Sequence, residues 1–160
     1  YAVEVPAHGG NTLFASSYAA FEALSDELRR RFEGRRAFHR YNFGSAQRGD
    51  GQGTQAFAES THPVFRTHEE TGRKALYVNR LMTARINGLD EAESAALIEE
   101  LLSFSEDPAI VYEHVWQIGD LVMWDNLCTN HARTDFPATE RRLLQRTAVI
   151  GEVPAAAGAA

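Results

Sequence analysis

One histidine and two arginines near the C-terminal end of this sequence carry the chemistry it can do. His131 follows the run Trp124-Asp125-Asn126-Leu127-Cys128-Thr129-Asn130, and Arg142 and Arg146 lie in Arg142-Leu143-Leu144-Gln145-Arg146. A guanidinium suits carboxylate and sulfonate groups, because its planar fork can hold two oxygens at once. From Arg142 to Ile150 the residue types alternate. That predicts a strand with Arg142, Leu144, Arg146, Ala148 and Ile150 on one face. The two arginines would share that face, roughly 13 Å apart at about 3.3 Å per residue. Beside apolar neighbours such a pair costs desolvation unless anions meet it. The expectation is a pocket on which one imidazole and two anion-seeking guanidiniums converge.

The elements that must position these groups can be read around them. Gly119-Asp120 marks a turn, and Leu121 to Trp124 is an apolar run of strand length. His131 comes seven positions after Trp124, once the chain has left that strand. Thr134-Asp135-Phe136-Pro137 then breaks the pattern, because proline lacks a donor and restricts its predecessor. Earlier in the chain, Val3 to Pro6 reads as a strand end. His8-Gly9-Gly10-Asn11 is a turn with glycines for positive φ, and Thr12 follows it. On residue type alone Thr12 more often satisfies its own turn.

Ser16 or Ser17 can cap a helical stretch whose apolar face is Tyr18, Phe21, Leu24, Leu28 and Phe32. Ser25-Asp26 can restart it, and Gly34 ends it. The basic run Arg29-Arg30-Arg31 with Arg35-Arg36 reads as a solvated helix face. Residues 44–61 read as a long mobile loop, with a lid as the functional alternative. His62 to Phe65 and Lys74 to Asn79 read as strands joined by a turn at Gly72. Asp90 with Glu93 starts a helix striped by Ala96, Leu97, Leu101 and Phe104, and Asp107-Pro108 ends it. Val111 to Trp116 alternates as a strand.

At 160 residues the chain is one domain, 1–153, with a frayed tail at 154–160. Many short strands with two helical stretches predict a mainly β core with helical decoration. The net charge of −6 argues against nucleic acid as a partner. A single cysteine, Cys128, excludes an intrachain disulfide and fits a reducing, cytoplasmic setting. No apolar run approaches membrane-spanning length, so no membrane role is expected. The opening Tyr1-Ala2-Val3-Glu4-Val5-Pro6 reads as the inside of a strand, which suggests a cut N-terminus.

Trp124-Asp125-Asn126, His131, Arg142 and Arg146, in that order and spacing, resemble the C-terminal signature of the TauD/TfdA family of Fe(II)- and 2-oxoglutarate-dependent dioxygenases. The resemblance extends to residues 9–14, to Tyr18 through Leu24, to His62-Pro63-Val64 with Arg66-Thr67-His68, and to Gly72 through Asn79. It implies a double-stranded β-helix, or jelly roll, incomplete at its N-terminus. It makes His131 an Fe(II) ligand. It assigns Thr12 and Arg142 to the cosubstrate 2-oxoglutarate and Arg146 to an anionic group of a small substrate. The reaction it implies consumes O2, releases succinate and CO2, and hydroxylates that substrate. It sets Asp125 and Asn126 to brace the turn before His131, and it draws Met82 and Arg85 towards the pocket. Leu127 departs from the pattern, since arginine often follows Trp-Asp-Asn in the family.

The family's facial triad needs a second histidine and a carboxylate from a His-x-Asp/Glu motif before the Gly-Gly turn. That position would precede Tyr1. His8, His39, His62 and His114 have no acid two residues on. His68-Glu69-Glu70 fits formally but lies downstream of Thr12, so it is rejected. Two rivals remain: a jelly-roll module that binds anions without iron, and an inactive fragment. Homo-oligomerisation is left open.

Overall fold

A computed structural model describes residues 1–40 and 59–149. The expected lid or loop at 44–61 lies almost wholly outside the described residues, as does the tail at 154–160. Among the described residues ten strands make four antiparallel sheets. Strand β1 (Ala2–Glu4) pairs with β10 (Leu143–Leu144). Strand β2 (Thr12–Ser16) lies between β8 (Val111–His114) and β9 (Thr129–Arg133). Strand β3 (Arg36–Arg40) lies between β4 (Glu59–Pro63) and β7 (Thr83–Ile86). Strands β5 (Phe65–Thr67) and β6 (Lys74–Leu76) form a hairpin whose turn contains Gly72.

The first helical stretch is two helices, as the Ser25-Asp26 pair predicts. Helix α1 (Ser17–Ala23) is capped by Ser16, whose Oγ accepts from the Ala19 N–H at 3.2 Å. Leu24 is extended, and Ser25 then caps α2 (Asp26–Phe32) by accepting from Leu28 N at 3.2 Å. Asp90 caps α3 (Glu91–Ser105) through Glu93 N. The Glu93 side chain does not close a capping box; it pairs with Arg31 at 2.9 Å. The buried face of α3 is Leu97, Ile98, Leu101 and Leu102, while the expected stripe member Ala96 is exposed.

That face clusters with Leu28 and Phe32 of α2, with Phe65, Leu76 and Ile86 of the strands, and with Leu24, Val64 and Val78 from the links between elements. Helix α1 packs on both β6 and α3, and it leaves β2 directly. The core therefore anchors the strand that leads out of the Gly9-Gly10 turn.

Three expectations need correction. Leu121 to Trp124 is not a strand: the run is unpaired, with Leu121 and Met123 at 70% and 87% exposure. Strand propensity without a neighbouring ladder leaves an extended segment. His131 in turn sits within a strand, β9, rather than beyond one. The predicted Arg142-to-Ile150 strand shrinks to Leu143–Leu144. The last bond of its ladder is Gln145 N donating to Tyr1 O at 2.9 Å. Ile150 lies outside the described residues.

His39 gives the fold a pH dependence. It is buried on β3 against His62 and Tyr77, and its Nε2 has no partner. Burial, and then the neighbouring His62, pull its pKa down to about 4. Between about 4 and the ordinary value of about 6.5 the unfolded chain binds a proton that the folded chain refuses. Stability should therefore fall as pH drops through this window, by on the order of 3 kcal/mol in full. Denaturant melts at pH 7 and pH 4.5 should show the loss, and His39→Phe should shrink it.

Candidate functional site

The register of the β8-β2-β9 sheet gathers the candidate residues on one face. Thr12 lies opposite Arg133 and His114, and Phe14 lies opposite His131 and Tyr112. Directly opposed residues share a face, and residues two apart along a strand share it too. Thr12, Phe14 and His131 therefore project to the same side.

Thr12 is buried, and its hydroxyl is already half committed. Trp116 Nε1 donates to Thr12 Oγ1 at 2.9 Å, and Arg142 Nη2 approaches it at 3.5 Å. A hydroxyl has two acceptor sites and one donor. With both acceptor sites facing N–H groups, the Thr12 proton is left to be donated outwards. Trp116 is held edge-on by His114 at 4.6 Å between centroids, and His114 Nε2 lies 3.0 Å from Asp120 Oδ2.

Arg142 is the second anchor. Its Nε donates to Gly10 O at 2.7 Å, which ties the guanidinium to the turn before β2. Among the described residues no carboxylate pairs with it. Burial lowers its pKa, and Arg133 nearby lowers it further. A half-buried cation beside a second cation, with no counterion, is an electrostatic demand for an anion.

Gly10 makes this seat possible. Its φ is +66°, and a Cβ there would stand 2.7 Å from Pro6 Cγ and 3.0 Å from Arg142 Cδ. Gly10→Ala should therefore cost about 1–3 kcal/mol of stability through strain. It should also displace Arg142. Thermal melts and an anion titration of the variant check the two effects separately, and an unchanged titration would detach Gly10 from the arginine.

His131 offers a ligand-competent imidazole. Its ring packs against Trp124 at 5.2 Å and Phe14 at 6.5 Å, and its remaining edge is solvent-accessible. Desolvation, and then the charge of Arg146, lower its pKa, which favours the neutral form. Among the described residues neither ring nitrogen is hydrogen-bonded. Arg146 is exposed and lies close enough for its charge to act on His131. The structure thus joins Thr12 to Arg142, and Arg146 to His131. It does not make the arginines co-facial on a strand, since Arg146 lies beyond β10. Met82 and Arg85 belong to the other half of the molecule. Arg85 stacks over Phe38 at 4.2 Å on the β4-β3-β7 sheet, beside a cleft of about 410 Å³ that holds none of the site residues.

Sequence reasoning missed two participants. Trp116 was placed only as a strand residue; alternation put it with Tyr112 and His114, and only the β2–β8 register brings that face to Thr12. Gly10 was read as a turn glycine of positive φ, which it is, but not as the acceptor for Arg142.

Residues 1–148 match the family model described as taurine catabolism dioxygenase TauD, TfdA family. This chain belongs to the TauD/TfdA family. Pentalenolactone F synthase of Streptomyces avermitilis is 37% identical over 171 residues, spanning 96% of this chain and 56% of that protein. The alpha-ketoglutarate-dependent 2,4-dichlorophenoxyacetate dioxygenase of a Burkholderia strain is 35% identical across 94% of this chain and 52% of its own length. A crystal structure of AAD-2 in complex with Mn(II) and N-oxalylglycine superposes with a TM-score of 0.84 at 32% identity, over 96% of this chain and 62% of that one. The TauD/TfdA chain described here spans about half the length of the relatives it matches.

Proposed function

We propose that this protein takes part in Fe(II)- and 2-oxoglutarate-dependent oxygenation of a small anionic molecule, a sulfonate or a carboxylate. The observation that carries this reading is the Arg142–Thr12 pair. A guanidinium without a counterion and a hydroxyl with only its proton to give form a receptor for one carboxylate. In this reading the distal carboxylate of 2-oxoglutarate sits there. Trp116 and Gly10 orient the two donors from behind.

His131 fits one position of a facial triad, favouring the neutral form, accessible, and free of other side-chain bonds among the described residues. The only group of three or more metal-binding side chains among the described residues excludes His131. The reading therefore draws the other two ligands from sequence outside these 160 residues. Bound Fe(II) with 2-oxoglutarate supplies O2-dependent attack on a C–H bond, with loss of succinate and CO2. Arg146 would hold the anionic end of the substrate near the metal, which its exposed charge beside His131, in no ion pair among the described residues, supports. Trp124 and Phe14 would keep water from one side of the imidazole. We read the four small sheets as part of a double-stranded β-helix, supported by the superposition with AAD-2.

A second reading, an anion-binding module without iron, draws on His131 belonging to no group of three metal donors among the described residues. One experiment separates them. The full-length protein is incubated with Fe(II), 2-oxoglutarate and O2, and succinate is measured. Succinate that depends on both iron and O2 supports the oxygenase. Tight 2-oxoglutarate binding that ignores iron, with no succinate, overturns it in favour of the module.

A further inference from the structure

A second set of metal-binding side chains lies across the segment that leads into β9. Trp124 turns its ring to His131, whereas the next residue, Asp125, turns its carboxylate to His68. Asp125 Oδ2 lies 2.8 Å from His68 Nε2, and Glu70 Oε2 lies 3.2 Å from the same nitrogen. Ligand atoms of His68, Asp125 and Cys128 all fall within 4.8 Å of one another. His68 is 3% exposed at the start of the β5-β6 turn, and its Nδ1 lies 2.9 Å from Thr71 Oγ1.

We propose that His68, Asp125 and Cys128, with Glu70 as fourth donor, bind a borderline divalent cation of the Zn(II) class at a site separate from His131. Nε2 carries at most one hydrogen, yet two carboxylate oxygens lie against it, so one proton serves two anions. A divalent cation in that place meets both carboxylates and the imidazole lone pair together. Thr71 then accepts the Nδ1–H, which fixes the tautomer that offers Nε2. Donors bound at about 2.0–2.3 Å in a tetrahedron stand roughly 3.3–3.7 Å apart, so side-chain adjustments suffice. A thiolate beside imidazole and carboxylate selects Zn(II) or Co(II) over hard ions. On binding, the Cys128 thiol releases its proton to solvent. Arg66, fully buried, places a positive charge beside Asp125 and offsets the surplus negative charge of one thiolate and two carboxylates. The ion would tie the β5-β6 hairpin to the turn just ahead of His131.

Cobalt reports on this site directly. The chain is titrated with Co(II) under reducing conditions, and thiolate-to-cobalt charge-transfer absorption and tetrahedral d–d bands are recorded. A single equivalent should saturate both, and Zn(II) should displace them. Cys128→Ser should abolish the charge-transfer band, and Asp125→Asn should weaken Co(II) binding at least about tenfold. His131→Ala should leave the bands unchanged. His68 is buried and its removal risks unfolding, so the two accessible residues carry the test, with circular dichroism confirming the fold. Absence of a thiolate band in folded protein overturns the site. So does a band that survives Asp125→Asn at full affinity or vanishes with His131→Ala.

Discussion

Alanine at position 142 should lower 2-oxoglutarate affinity by about a hundredfold, or about 3 kcal/mol. The estimate follows from the seat of the side chain. Arg142 spends Nε on Gly10 O and reaches Thr12 with Nη2, and it has no carboxylate partner among the described residues. An incoming carboxylate thus replaces water on a cation that burial has already partly stripped. Arg142→Lys keeps the charge but loses the fork and the bond to Gly10, so it should recover only part of the affinity. Arg146→Ala should leave 2-oxoglutarate binding nearly intact and raise the KM of an anionic substrate. Calorimetric titration of the metal-loaded full-length protein and its three variants measures this. A larger 2-oxoglutarate loss in Arg146→Ala would exchange the roles of the two arginines.

On the proposed reading His131→Ala should abolish iron-dependent turnover. A facial triad reduced to two ligands holds its metal loosely and in the wrong orientation. The loss should exceed the ~10–100-fold that follows removal of an outer-shell partner. The variant should still fold, because the imidazole edge is accessible and no internal hydrogen bond depends on it. Iron content after dialysis and succinate formation are the two readouts. Normal iron with normal succinate would remove His131 from the metal site.

Legibility in the sequence followed the range of the interactions involved. The caps Ser16, Ser25 and Asp90 were readable because each bonds an amide three residues on. The Gly9-Gly10 turn and the position of Thr12 just after it were equally local. Strand content was misjudged where pairing decides it. Leu121 to Trp124 has the composition of a strand and no partner among the described residues, and the run after Leu144 alternates yet is bonded to β1 only as far as Gln145. The joining of Arg142 to Thr12 spans most of the chain and was expected only through the family resemblance; spacing alone had put Arg142 with Arg146. Trp116 escaped notice because its role is a hydrogen bond to a residue 104 positions away.

The Gly10–Arg142 hydrogen bond joins residues 132 apart. Closing so long a loop costs roughly 2 kcal/mol more chain entropy than closing one of ten residues. The carboxylate receptor therefore exists only once the Gly9-Gly10 turn and the segment around β10 have come together. A ligand seated on Arg142 and Thr12 in turn clamps distant parts of the sequence together. Amide hydrogen exchange would register this as slowed exchange at Gly10, Thr134 and Gln145, whose N–H groups bond across the same seam.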